Sequence, residues 1–168
     1  QDLNRLSFNS SLSHRRKLNL PLDASAKVIG PRLLHGSQWG IIDPLDTPDG
    51  GNIGLHKHMA ITTYITNNCP SGPIIKWLRL NVQMKLIEEC NLENLADLTK
   101  VFVGGVWIGV IDDPVKNMAL IKLHKRTGLI PVYTSVAWDI RRNELQIFTD
   151  SGRLMRPIFY IENNRISS

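Results

Sequence analysis

The sequence predicts an α+β protein in two modules, an irregular helix-and-loop module followed by a small mixed α/β module with antiparallel strands. Three observations carry this. The run "KVFVGGVWIGV" sets two β-rich segments around Gly104-Gly105, where a tight hairpin turn needs the positive φ that glycine adopts cheaply. "DDPVKNMALIKLHKRTG" places Asp113 before Pro114 at a first helical position, basic residues in the last turn and Gly128 just past the end, which matches helix polarity throughout. By contrast, "GIIDPLDTPDGGNIGLHKHM", Gly40 to Met59, packs two prolines, three aspartates and four glycines between apolar flanks, which excludes a long regular element there.

The elements follow in order. In "LNRLSFNSSLSHRRKLNL", Leu3, Leu6, Leu12 and Leu18 recur at loosely helical spacing broken by small polar residues, predicting one or two short helices with exposed polar faces. "PLDASAKVIGPR" reads as a loop opened by Pro21 and closed by Gly30-Pro31, with Lys27 near its tip. "HMAITTYIT" is β-prone and predicts one strand. The chain then divides at "NNCPSGP", Asn67 to Pro73, where turn-forming residues collect. Ser71 and Pro73 mark a helix start before "IIKWLRL", and the Gly104-Gly105 hairpin and the Asp113 helix come next. "VYTSVAWDI", "ELQIFTD" and "RLMRPIFYI" read as three strands joined by the turns "RRN" and "SG".

Composition narrows the function classes. A chain of 168 residues with 42% hydrophobic content is long enough for a buried core. No run approaches the about 18 apolar residues that cross a bilayer, and no signal peptide opens the sequence, so no membrane partner is expected. Cys69 and Cys90 lack C-x-x-C spacing and suit a reducing compartment. The sequence opens on Gln1 rather than Met, which points to a piece of a longer polypeptide.

No self-sufficient active site is visible. Asp43, Asp46 and Asp49 end in Gly50, but a calcium loop needs ligands at alternate positions and a glutamate at the twelfth, where Gly54 stands. His35, His56 and His58 lack a zinc spacing, so no metal is expected within the chain. G-x-S-x-G, Walker and G-x-G-x-x-G motifs are missing. The net charge is +5, and Arg5, Arg15, Arg16, Lys17, Lys27 and Arg32 face only Asp2 and Asp23 in the first thirty-two residues. Such a cluster attracts phosphate backbones by counterion release, although a solvated basic surface is the commoner outcome. For the Gly40–Met59 loop, pattern alone leans to a structural crossover with capping aspartates over a rigid ledge facing another surface.

The order of motifs carries a resemblance. "GPRLLHGSQWGIIDPLDTPDGGNIGL", Gly30 to Leu55, resembles the hallmark of the second-largest subunit of multi-subunit DNA-directed RNA polymerases. "LNRLSFNSSLSHRRKLNLPL", "KVFVGGVWIGV" and "DIRRNELQIFTDSGRLMRPIFYIE" resemble the flanking stretches of that family in the same order, through nearly the whole chain. Asp43 stands where relatives commonly have cysteine, Lys17 where arginine is usual, and Asp46 and Asp49 where glutamates are usual. The "LHGSQWG" stretch points to a eukaryotic or large-DNA-virus enzyme, hence to the nucleus, or to a viral factory or virion.

The resemblance implies a fork region over residues 1–68 and the adjoining external region, with the start of the following segment, over residues 73–168. It implies that the loop with Pro44, Asp46, Thr47, Pro48, Asp49, Gly50 and Asn52 is a stiff wall beside the active centre. By the same resemblance Lys27 and Arg32 contact downstream DNA or hybrid, and His14, Arg16 and Lys17 lie toward RNA, hybrid or incoming nucleotide. The implied partners are the largest and the other polymerase subunits, template DNA, nascent RNA and NTPs. The implied cofactor is Mg2+ in the complete enzyme and none in this chain, whose residues would position nucleic acid rather than perform nucleotidyl transfer. A free-standing basic nucleic-acid-binding module is the alternative from another class, and a purely structural scaffold is a third. A slice of a polymerase should expose apolar faces that a free-standing domain would not.

Overall fold

The computed structural model describes residues 2–91, 93, 95–162 and 164–167. The chain forms two compact units, one of Gln1–Tyr64 with Leu154–Ser168 and the other of Ile65–Arg153.

The first unit opens on α1 (Phe8–Arg15). Ser7 caps it through a reciprocal pair: the Ser10 amide donates to Ser7 Oγ at 3.1 Å and the Ser7 amide to Ser10 Oγ at 2.8 Å. The helix buries none of its residues, so its stability comes from its ends rather than from a packed face. Next comes a short strand that the sequence pattern does not suggest, β1 (Lys17–Asn19). β2 (Ile42–Asp43) and β3 (His56–Met59) complete an antiparallel sheet of order β1-β3-β2, with Lys17 opposite His58 and Ile42 opposite Met59. Side chains alternate along β3, so Lys57 and Met59 are buried while His56 and His58 are half-buried.

The single strand expected over "HMAITTYIT" is two. β3 stops at Met59, the chain turns with the Thr63 amide donating to Ala60 O, and β4 (Tyr64–Ile65) pairs instead with β10 (Leu154–Met155). Arg16 imposes the break by donating to the Ala60 and Thr63 carbonyls, which a continuous ladder would have used. "RLMRPIFYI" divides likewise into β10 and β11 (Tyr160–Glu162), because Pro157 lacks an amide and biases the residue before it. β11 pairs antiparallel with β12 (Arg165–Ser167).

The second unit holds the apolar core. α2 (Ser71–Asn81) starts where Ser71 and Pro73 predict and buries Ile74 and Leu78, one turn apart on one face. The five-stranded sheet runs β5-β7-β6-β9-β8, from β5 (Lys85–Leu86), β6 (Thr99–Val103), β7 (Val106–Ile111), β8 (Ser135–Asp139) and β9 (Glu144–Phe148). Three of its four pairs are antiparallel; in the fourth, β6 and β9 run parallel with Val101 opposite Leu145. Gly104 and Gly105, at φ 59° and 83°, make the predicted β6–β7 turn. α3 (Pro114–Arg126) is capped by Asp113, whose Oδ1 accepts from the Lys116 amide at 3.1 Å, and buries Ile121. Alternation along β6 and β9 puts Val101, Val103, Leu145 and Ile147 into a cluster with Ile74, Leu78, Val82, Met84, Ile111, Ile121 and Ile130. Each such side chain contributes about 1.5–3 kcal/mol on burial.

Candidate nucleic-acid interface

All twelve residues singled out by sequence lie in the first unit. Lys27 follows a local turn centred on Asp23, whose Oδ2 accepts from Ser25 Oγ at 2.6 Å and whose Oδ1 accepts from the Ser25 amide at 3.0 Å. The hydroxyl first and the amide second hold the Asp23 carboxyl below its ordinary value. Lys27 itself is exposed and has no hydrogen bond or ion pair among the described residues.

His14 and Lys17 come together. They line an open cavity of ≈ 360 Å³ with Asp2, Asn4, Ser10 and Ser13. His14 Nδ1 accepts from the Asn4 amide at 3.0 Å, which in the neutral ring leaves Nε2 as the donor. Lys17 is exposed. Arg16 is placed differently. It is half-buried, and its Nη2 donates to Ala60 O at 2.6 Å and to Thr63 O at 3.2 Å.

Arg32 is engaged more fully. Nε donates to Val28 O at 3.1 Å, Nη1 to Gly51 O at 2.7 Å and to Ile53 O at 2.9 Å, and Nη2 to Ala24 O at 3.3 Å. The loop from Pro44 to Asn52 is fastened by its own short-range bonds: Asp43 Oδ1 accepts from the Leu45 amide at 3.0 Å, and Thr47 Oγ1 accepts from the Gly54 amide at 2.8 Å. Pro48 stands between two exposed carboxylates, Asp46 and Asp49, and a single 3-10 turn, Gly50–Asn52, ends the loop. Gly54 then takes φ 73° so tightly against Arg32 that a Cβ would collide with the Arg32 carbonyl. The aspartates therefore serve turn geometry at position 43 and stand in solvent at 46 and 49.

Sequence reasoning missed Lys57. It is only 5% exposed, and its Nζ donates to Leu33 O at 3.1 Å and Gln38 Oε1 at 3.3 Å, tying both ends of the "LLHGSQ" segment to β3. The β-prone run read from the sequence begins at His58, one residue too late to include Lys57; with the strand extended to His56, Lys57 and Met59 share its buried face. Arg156 was also missed; its guanidinium lies where a Cβ at Gly40 would sit, and no local pattern predicts a contact so distant in sequence. Among the described residues, no group of three or more His, Cys, Asp or Glu side chains could hold a metal ion. His58 is engaged by Ser13 and the Met59 carbonyl, and His35 by Ser37.

The chain matches the family model described as RNA polymerase Rpb2, domain 3, over residues 1–65, and that described as RNA polymerase Rpb2, domain 4, over residues 101–162. It is 40% identical over 164 residues to the DNA-directed RNA polymerase II subunit RPB2 of Schizosaccharomyces pombe, covering 98% of this chain and 14% of that one. The chain belongs to the family of second-largest RNA polymerase subunits. Similarity extends to the DNA-directed RNA polymerase II subunit 2 of Arabidopsis thaliana, 39% identical over 166 residues, with 99% of this chain and 14% of that one covered. The DNA-directed RNA polymerase subunit 2 of Acanthamoeba polyphaga mimivirus is 33% identical over 171 residues, with 99% and 14% covered. The chain thus spans about one seventh of the length of these family members. No described helix is long and apolar enough to cross a membrane.

Proposed function

We propose that this chain forms part of the wall of the nucleic-acid cleft in a DNA-directed RNA polymerase, residues 1–68 being the fork region and residues 73–168 the adjoining external region with the start of the next segment. Lys27 contacts phosphates of downstream DNA, while Lys17 and His14 face the hybrid, the nascent RNA or the incoming NTP across their shared cavity. The Pro44–Asn52 loop is the stiff ledge beside them. The observation that carries this reading is Lys27, an exposed cation without a partner among the described residues, on a loop whose turn is fixed by Asp23. An ammonium held outward in this way is free to displace counterions from a phosphate backbone.

Nucleotidyl transfer, in which a 3′-hydroxyl attacks the α-phosphate of an NTP, belongs to the complete enzyme, with its magnesium held by residues outside this chain. This chain's own residues position nucleic acid. The largest subunit and other parts of the assembly cover apolar side chains such as Leu6, 91% exposed, and Phe8, 81% exposed, which nothing described in this chain covers. The enzyme works in the nucleus, or in a factory or virion if it is viral.

The test is charge reversal in the complete polymerase. Lys27→Glu and Lys17→Glu are expected to make elongation complexes dissociate faster at a given salt concentration. Each should flatten the dependence of log stability on log salt by about 0.7–0.9 for every phosphate that is no longer neutralised. Unchanged stability and slope in both variants would overturn the reading.

A further inference from the structure

We infer that Arg32 is a positioning residue, a latch that fastens the Lys27 loop to the Pro44–Asn52 loop and so fixes where Lys27 is presented. The four carbonyls it receives fall in two pairs. Ala24 and Val28 bracket Lys27 on one loop, and Gly51 and Ile53 bracket Asn52 on the other. All but one of the guanidinium N–H donors are thereby engaged by main-chain oxygens, with little hydrogen-bonding capacity left for phosphate. The main chain of Arg32 adds to the joint, since Gly54 sits against its carbonyl and Gly54 is itself tied to Thr47. The latch therefore grips the backbone of both loops at points flanking the exposed residues Lys27 and Asn52.

The chemistry needs arginine. A planar fork with fixed donor directions can serve two carbonyl pairs at once, whereas a lysine ammonium is a single centre on a flexible stem and can serve one pair at best. Backbone acceptors also mean that the partners cannot be removed by a side-chain change elsewhere. Among side chains, Arg32 supplies all four of these bonds. In functional terms this rests on the proposed orientation of the Lys27 loop toward DNA: with the latch closed, Lys27 and the ledge keep one spacing, and with it open Lys27 samples many positions.

The experiment uses the complete polymerase carrying Arg32→Lys or Arg32→Ala, read in two ways. Tryptic cleavage after Lys27 reports whether its loop opens, because cleavage follows the population of the open state. The salt dependence of elongation-complex dissociation reports phosphate contacts. The latch predicts that both substitutions raise the cleavage rate by about tenfold or more, as expected from loss of one or more charge-assisted bonds. It also predicts that the slope of log stability against log salt flattens to the same extent in both, because either substitution frees Lys27, whereas a phosphate contact made by Arg32 itself would be kept by lysine. Arg32→Lys keeps the charge and the aliphatic stem, so it remains informative if Arg32→Ala fails to assemble. Cleavage at the wild-type rate in Arg32→Lys would overturn the latch, as would a slope that falls in Arg32→Ala and is held in Arg32→Lys. Failure of the underlying orientation gives a different result, a slope unaffected by Lys27→Glu together with accelerated cleavage in the Arg32 variants.

Discussion

The two units of this chain solve the same problem by different means. In Ile65–Arg153 eleven buried apolar residues form one cluster between α2, α3 and one face of the five-stranded sheet. In the other unit the buried hydrophobics among the described residues are Leu55 and Met59, and Lys57 is buried between them. What replaces the core there is a set of cationic side chains inserted among main-chain carbonyls: Arg16 onto Ala60 and Thr63, Arg32 onto four oxygens, Lys57 onto Leu33. Arg153 does the same at the end of the second unit, donating to Asp150 O, Tyr133 O and Ser135 Oγ, but as an addition to a core. A hydrophobic core tolerates small shifts in where each contact falls, whereas a guanidinium among carbonyls fixes direction as well as distance. Loops that must hold a defined shape with little apolar surface are suited by the second device.

The contrast makes its largest prediction in the core. Leu78 is fully buried, and Leu78→Ala is expected to destabilise the second unit by about 3–5 kcal/mol. Hydrogen exchange of the β6 and β9 amides in the complete subunit would register it, while the amides of the Lys27 loop keep their wild-type rates. Next comes Gly54→Ala in the first unit. Its left-handed backbone and its closeness to Arg32 together make a cost of about 2–4 kcal/mol, expressed as faster exchange of the Gly54 amide that Thr47 now holds. A comparable loss in the β6 and β9 amides would show that the two units do not respond separately.

Helix caps offer a finer comparison. Ser7→Ala and Asp113→Ala each remove a side-chain acceptor worth about 1 kcal/mol. In α1, which buries no residue, the loss should unravel the helix, read as near-complete loss of amide protection from Ser11 to Arg15. α3 is anchored by Ile121, so only its first turn should fray.

The smallest effects are those of pH. Asp23 has a depressed carboxyl, so its contribution to the Lys27 loop is present above the ordinary value of 3.8 and is lost as pH falls through the folded-state value. Ser25 amide exchange, corrected for its intrinsic pH dependence, should therefore accelerate only in acid. Lys125 is depressed by burial first and by Arg153 second, so the unfolded chain holds more protons between its folded value and 10.5. The second unit should gain slight stability as pH rises through that window, and Lys125→Met should remove the gain.

What the sequence reveals divides along the same line. Elements built on periodicity and local turn chemistry are readable: the Gly104-Gly105 hairpin, the capped helix after Asp113, the strands on either side of Asn143. Pairings between segments distant in sequence are not, because strands of two to four residues such as β1 and β2 carry no periodic signal of their own. The divided strands lie between these cases. Pro157 announces one break, whereas the break after Met59 depends on Arg16, which reaches it across 44 residues. At the candidate site the charges of Arg16 and Arg32 are plain in the sequence but their destinations are not, since a main-chain carbonyl is an acceptor that every residue possesses.

The parallel pairing of β6 with β9 bears on how the chain is made. β6 and β7 are joined by two glycines and can pair as soon as both have left the ribosome, on a timescale of microseconds. The other edge of β6 waits for β9, whose residues are made after α3 and β8. Synthesis of the intervening stretch takes on the order of seconds, during which the open amides and carbonyls of β6 offer a template to any neighbouring strand. The nascent chain therefore has its greatest exposure to mispairing between completion of the hairpin and arrival of β9, and factors that shield strand edges would matter most in that interval.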